Sequence, residues 1–152
     1  MLQKPLSGRS RAAQRPRLIY LMNQLNLMIR KALDDRLRPH QLGGLQYTIL
    51  ALVRDREGIS SAELSRRFFV TPQTMNESVA SLEKRGLIER SESETNKRIL
   101  NTRVTDKGRD LLDICDAIAD EVEDEVFGTL GEVECKLFNK MLRERIQVLQ
   151  DK

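Results

Sequence analysis

Apolar residues recur along this chain first at helical spacing, then briefly in alternation, then at helical spacing again. From Arg17 to about Arg38, Leu18, Leu21, Met22, Leu25, Met28, Ile29, Ala32 and Leu33 make one stripe of an amphipathic helix. Pro39 ends it, because the residue before a proline is driven out of the helical region. After Gly43 and Gly44, the residues Leu45, Ile49, Leu52 and Val53 mark a shorter second helix over 45–53. Ser60 followed by Glu63 fits a capping box, which predicts a third helix from Ser61 to about Phe68. Its expected buried residues are Ala62, Leu64 and Phe68 or Phe69. Thr71-Pro72 supplies an N-cap and a proline at the first helical position. The fourth helix continues to Arg85, stops at Gly86, and buries Met75, Val79 and Leu82.

The period then changes. Leu87–Arg90 and Ile99–Val104 read as two short strands, with Leu100, Thr102 and Val104 on one side. The polar stretch 91–98 between them suits a hairpin tip. Thr105 caps a long fifth helix in which Leu111, Cys115, Ile118, Val122 and Val126 form the stripe. Gly128 and Gly131 interrupt it. A last helix carries Val133, Leu137, Met141 or Leu142, Ile146 and Leu149. Residues 1–16, rich in Arg, Ser and Pro without apolar periodicity, read as a flexible basic arm. The pattern therefore predicts a mainly α fold with a small β-hairpin wing: a winged helix-turn-helix with long helices at both ends.

At 152 residues the chain holds one domain, expected over 17–152. Its winged helix-turn-helix part falls at 45–108, with flanking dimerisation helices at 17–38 and 106–150. No run of about 18 apolar residues is present, so no membrane span is expected, and nothing at the N-terminus resembles a secretory signal. Two cysteines make no disulfide framework and suit a reducing cytoplasm. One histidine and two distant cysteines offer no metal cluster, and no Gly-rich phosphate loop or nucleophile–base arrangement points to an enzyme or a cofactor. Charge is segregated. Residues 1–40 hold nine Lys/Arg against two Asp/Glu, whereas 111–152 hold five against eleven. A basic end near a polyanion and an acidic end away from it would show this distribution.

In a helix-turn-helix the second helix enters the major groove of double-stranded DNA. Expected contacts there come from Thr71, Pro72, Gln73, Thr74, Asn76 and Lys84; Gln and Asn match the hydrogen-bonding edge of adenine. Lys97 and Arg98 at the hairpin tip suit the electronegative minor groove. Three amphipathic stripes are more than one compact chain can cover, so Leu18, Leu21, Leu25, Ile118, Val122, Val126, Leu137, Met141 and Leu142 are expected at a homodimer interface. A two-fold dimer reads an inverted repeat.

From Leu45 to Gly108 the chain resembles the MarR family of bacterial winged-helix transcriptional regulators. The likeness rests on Gln46-Tyr47-Thr48-Ile49-Leu50, Glu63-Leu64-Ser65, Leu82-Glu83-Lys84-Arg85-Gly86-Leu87-Ile88, Lys97-Arg98 and Val104-Thr105-Asp106-Lys107-Gly108, in that order. It implies a cytoplasmic homodimer that represses nearby promoters and is released by a small ligand or an oxidant. Two positions depart from the family: Asn96 stands where an acidic residue often precedes the wing arginine, and Glu77 and Ser81 replace common basic residues. The resemblance then implies fewer guanine and phosphate contacts from the recognition helix and more from wing and arm, with Glu77 outside the expected contact set. A small aromatic or amphipathic ligand is expected near Leu25, Met28, His40 and Tyr47. Two other readings fit the residues: a protein-interaction adaptor built on a winged-helix dimer, and a regulator that senses oxidants through Cys115 or Cys135.

Overall fold

The computed structural model describes residues 16–92, 94 and 100–150. The expected arm at 1–16, apart from Pro16, and the wing tip with Lys97 and Arg98 lie outside the described residues.

Helix α1 spans Leu18–Leu37, and Arg38–His40 closes it with a single 3-10 turn containing Pro39. Helix α2, Gly44–Asp55, begins one residue earlier and ends two residues later than its apolar pattern suggests. The reason is tertiary: the Asp34 carboxylate of α1 accepts the Gly44 N–H at 2.5 Å and so caps α2 from outside. Helix α3 runs over Ser61–Phe68, capped by the Ser60 hydroxyl on the Glu63 N–H at 3.2 Å. The Glu63 carboxylate is engaged by the Arg67 guanidinium.

One expectation for α3 changes, and one alternative is decided. Ala62 is exposed and Ser65 is buried instead, because its hydroxyl donates to the Val70 carbonyl at 3.0 Å and ties the following turn shut. Phe69 takes a left-handed conformation (φ 52°) and is 94% exposed, while Phe68 is half-buried against the core.

Helix α4, Pro72–Lys84, buries Met75, Val79 and Leu82 completely, as its spacing predicts. Gly86 at φ +70° ends it: its N–H reaches the Glu83 carbonyl at 2.8 Å and the Leu87 N–H reaches Leu82 at 3.0 Å. This paired arrangement needs a left-handed residue at that point, which glycine accepts without cost. Strands β1 (Ile88–Glu92) and β2 (Leu100–Val104) pair antiparallel with Ile88 opposite Val104 and Glu92 opposite Leu100. Ser91 and Glu92 thus belong to the ladder, two residues beyond the predicted end. Thr102 and Val104 are buried, but Leu100, at the far end of the hairpin, is 41% exposed.

Helix α5, Asp106–Phe127, starts at the Thr105 cap, whose hydroxyl accepts the Gly108 N–H at 3.1 Å and donates to the Gly86 carbonyl at 2.6 Å. Helix α6, Glu132–Gln150, has no buried residue. The core unites Leu37 of α1, Ile49, Leu50 and Val53 of α2, Leu64 of α3, the α4 stripe, Leu87 and Ile88, and Leu112 and Cys115 of α5. Leu112 lies outside the predicted stripe. Val122, expected at a subunit interface, is only 3% exposed in its own chain; Ile118, also expected there, packs on the core and stays half-buried. Helix α5 lies along α1 and α2 of the same protomer.

Candidate nucleic-acid interface

The exposed side of α4 is held in place by contacts at both of its ends. At the start, the Thr71 hydroxyl accepts the Thr74 N–H at 3.1 Å and pairs with the Thr74 hydroxyl at 2.9 Å. At the end, Arg85 donates to the carbonyls of Gln41 at 2.6 Å and His40 at 3.0 Å, tying α4 to the α1–α2 junction. Beside it, Arg90 of β1 donates to the Glu83 carboxylate through Nε at 3.0 Å, and that hydrogen bond holds the Glu83 carboxyl below its ordinary range. Hairpin and helix are thereby locked together. Replacing Thr71 with Ala should cost about 1 kcal/mol in a denaturant titration, whereas Thr71→Ser should cost little. An unchanged midpoint in the alanine variant would show that this cap contributes nothing.

All six residues expected on α4 and its cap, Thr71, Pro72, Gln73, Thr74, Asn76 and Lys84, are exposed on this one element. At about 100° per residue, Gln73, Glu77, Ala80 and Lys84 point directly away from Met75, Val79 and Leu82. Asn76 turns toward the hairpin and lines a groove of about 440 Å³ with Ser61, Arg66, Arg90 and Leu100. Ser81 turns the other way and accepts from Gln46 at 3.4 Å. Sequence reasoning missed Arg66 and Arg90. Only the packing of α3 and the hairpin against α4 brings those guanidinium groups to the groove.

Between this module and the long helices lie two further cavities that share Ile29 and Leu33 as a wall. One, of about 260 Å³, is lined by Tyr47, Val122, Val126 and Phe127. Tyr47 donates to Asp116 at 2.9 Å, and Arg54 holds the other carboxylate oxygen at 2.5 Å. Burial first, and Asp116 second, push the Tyr47 hydroxyl above its ordinary range. The other cavity, of about 230 Å³, carries Arg30 and Thr48 beside Phe68 and Val70 of the α3–α4 turn. Of the expected ligand residues, Tyr47 lines the first; Leu25, Met28 and His40 line neither. His40 is engaged through its carbonyl by Arg85.

Cys115 is buried, and burial raises its thiol above the usual range, which disfavours the reactive thiolate. Cys135 is exposed on α6. Among the described residues no three His, Cys, Asp or Glu side chains gather to hold a metal ion, and no helix is long and apolar enough to cross a membrane.

A helix-turn-helix whose second helix shows a polar face beside a locked β-hairpin defines the winged-helix class of DNA-binding proteins. The model of the MarR family matches residues 40–99. The HTH-type transcriptional repressor Rv2887 of Mycobacterium tuberculosis is 30% identical over 125 residues, covering 82% of this chain and 90% of the relative. A crystal structure of MarR matches with a TM-score of 0.82 at 26% identity, over 93% of this chain and 97% of that one. The crystal structure of Rv2887 in complex with salicylic acid matches with a TM-score of 0.71 at 30% identity, over 87% and 98%. The chain belongs to the MarR family of transcriptional regulators.

Proposed function

We propose that the protein is a cytoplasmic homodimeric repressor that binds an inverted-repeat operator and leaves it when a small aromatic acid binds. What carries this reading is the outward polar face of α4, fully exposed and braced by Arg85 and the Glu83–Arg90 pair. Each α4 enters a major groove with Thr71, Pro72, Gln73, Thr74, Asn76 and Lys84 toward the duplex, and each hairpin tip brings Lys97 and Arg98 to the minor groove.

The dimer is formed by the stripes of α1 and α6 that the single chain leaves uncovered. Leu18, Leu21, Val133, Leu137 and Met141 are all exposed, while Leu25 and Leu142 are half-buried. The acidic α5 stands away from the phosphates.

The ligand suits the cavity lined by Arg30, whose apolar walls receive a ring while the Arg30 guanidinium donates to a carboxylate. Its wall includes Phe68 and Val70, so an occupant presses on the turn that positions Thr71 and the start of α4. Salicylic acid bound to Rv2887 is the chemistry that guides this choice.

Mobility shifts with the DNA upstream of the gene, across a salt series and with added salicylate, test the reading. Specific retention and release by salicylate are expected. Arg98→Ala should weaken operator binding and reduce the slope of log affinity against log salt by about one. Equal affinity and slope in the variant would remove the hairpin tip from the interface. Failure of the unaltered protein to bind any duplex at low salt would favour an adaptor that docks proteins.

A further inference from the structure

We propose that Glu77 determines operator specificity, acting with Gln73 as a paired reader that selects bases presenting an exocyclic amine in the major groove and turns away guanine. This rests on the reading of α4 as the helix that enters the major groove. The buried residues Met75, Val79 and Leu82 fix which way α4 faces inward. The opposite direction is occupied by Gln73, Glu77, Ala80 and Lys84 at about 100° per residue. Ala80 brings only a methyl group, and Lys84 sits at the last turn. Asn76 and Ser81 flank this direction, Asn76 on the hairpin side where it lines the groove with Arg90, and Ser81 on the α2 side where it accepts from the Gln46 amide. The middle of the reading face therefore consists of Gln73 and Glu77, one helical turn apart.

These two side chains are joined. Gln73 Nε2 donates to Glu77 Oε1 at 3.1 Å. The bond sets the amide's orientation, because the reversed amide would place its oxygen against a carboxylate oxygen. One amide hydrogen is used, leaving the second hydrogen and the carbonyl oxygen of Gln73. That donor and that acceptor are what the N7 and N6 edge of adenine requires. The second carboxylate oxygen of Glu77 is an acceptor, suited to the N4 amine of cytosine or the N6 amine of adenine. Guanine presents only O6 and N7, two acceptors, to the major groove, and a carboxylate repels both.

An exposed glutamine–glutamate pair on a helix ordinarily adds a little helix stability and nothing else. This one differs in where it points. A carboxylate facing a polyanion weakens binding to every sequence, and among the described residues no ion pair neutralises Glu77. The same charge that costs affinity supplies discrimination.

The test selects binding sites from random duplexes with the unaltered dimer, Glu77→Ala and Glu77→Gln. Affinities are then measured for the selected operator, each of its single-base-pair variants and an unrelated duplex. The unaltered protein should select a half-site with a fixed adenine next to a position that excludes guanine. Glu77→Ala should admit guanine at that position, lowering discrimination there about tenfold, and should bind unrelated DNA more tightly. Glu77→Gln, whose amide can also donate, should accept guanine likewise. Melting temperatures should match, since Glu77 is exposed. Identical selected motifs with unchanged discrimination in Glu77→Ala overturn the proposal while leaving α4 as the reading helix. Absence of any selected motif for the unaltered protein overturns both.

Discussion

Replacing Gly108 with Ala should lower stability by about 3 kcal/mol and the thermal midpoint by roughly 6–12 °C. Gly108 lies in the first turn of α5, where that helix sits on the link between α4 and β1. A Cβ there would stand 2.1 Å from the Leu87 carbonyl oxygen and 2.7 Å from Val104 Cγ1. Neither neighbour can step aside. Leu87 is buried, and its carbonyl already accepts the Thr105 N–H at 3.1 Å; Val104 is buried on β2 opposite Ile88. The helix itself would gain at most about 1 kcal/mol from alanine over glycine, so overlap wins. The remaining route to relief is to tilt α5 away from the hairpin, which would also loosen the frame that presents α4. Calorimetry at one fixed protein concentration measures the shift, because an oligomer's midpoint moves with concentration. A midpoint at or above that of the unaltered protein would mean that α5 does not approach Leu87 this closely.

The double substitution Leu137→Glu and Met141→Glu should convert the protein to a single subunit and reduce operator affinity by roughly 100-fold or more. These residues lie one turn apart on α6, at 56% and 53% exposure, next to Val133 at 80%. Helix α6 has no fully buried residue: Phe138, with its ring centroid 5.7 Å from that of Phe127, and Leu142 are half-buried. An apolar stripe of this length left in water calls for a cover, and in the proposed dimer a second copy supplies it. Glutamate is a good helix former, so the change acts on association more than on the local helix. The loss in DNA binding follows from valency: a lone subunit loses the second half-site, and linked sites gain roughly 10²–10⁴ over one. Light scattering for mass and a mobility shift for affinity read the two effects separately. A dimer of unchanged mass would place the interface elsewhere.

Local chemistry makes much of the architecture readable without coordinates. Ser60, Thr71 and Thr105 each precede a helix and each accepts an amide of its first turn. A capping side chain acts over three residues, so its signal is contained in the local sequence. Met75, Val79 and Leu82 are legible for the same reason, since one face of one helix repeats at a fixed interval. Leu112 is not. It lies beside the predicted stripe of α5, and which of two adjacent apolar residues is buried depends on the helix packed opposite. Ser65 escapes sequence reasoning because its burial follows from one hydrogen bond across a turn, to Val70. By charge alone Glu77 is unsuited to DNA; its bond to Gln73 and its central direction on α4 give it a different standing.

Sequence periodicity and caps by themselves determined the order and kind of the elements, because those depend on contacts within a turn or two of chain. Tertiary packing alone decided which stripes face inward. Ile118 and Val122 carry the same apolar signal as Leu137 and Met141, yet Ile118 packs on the core and Val122 is buried in its own chain, while the second pair stays in solvent. Periodicity states that a face must be buried. It carries no information about which surface will bury it, since apolar attraction has no direction and any complementary face will serve.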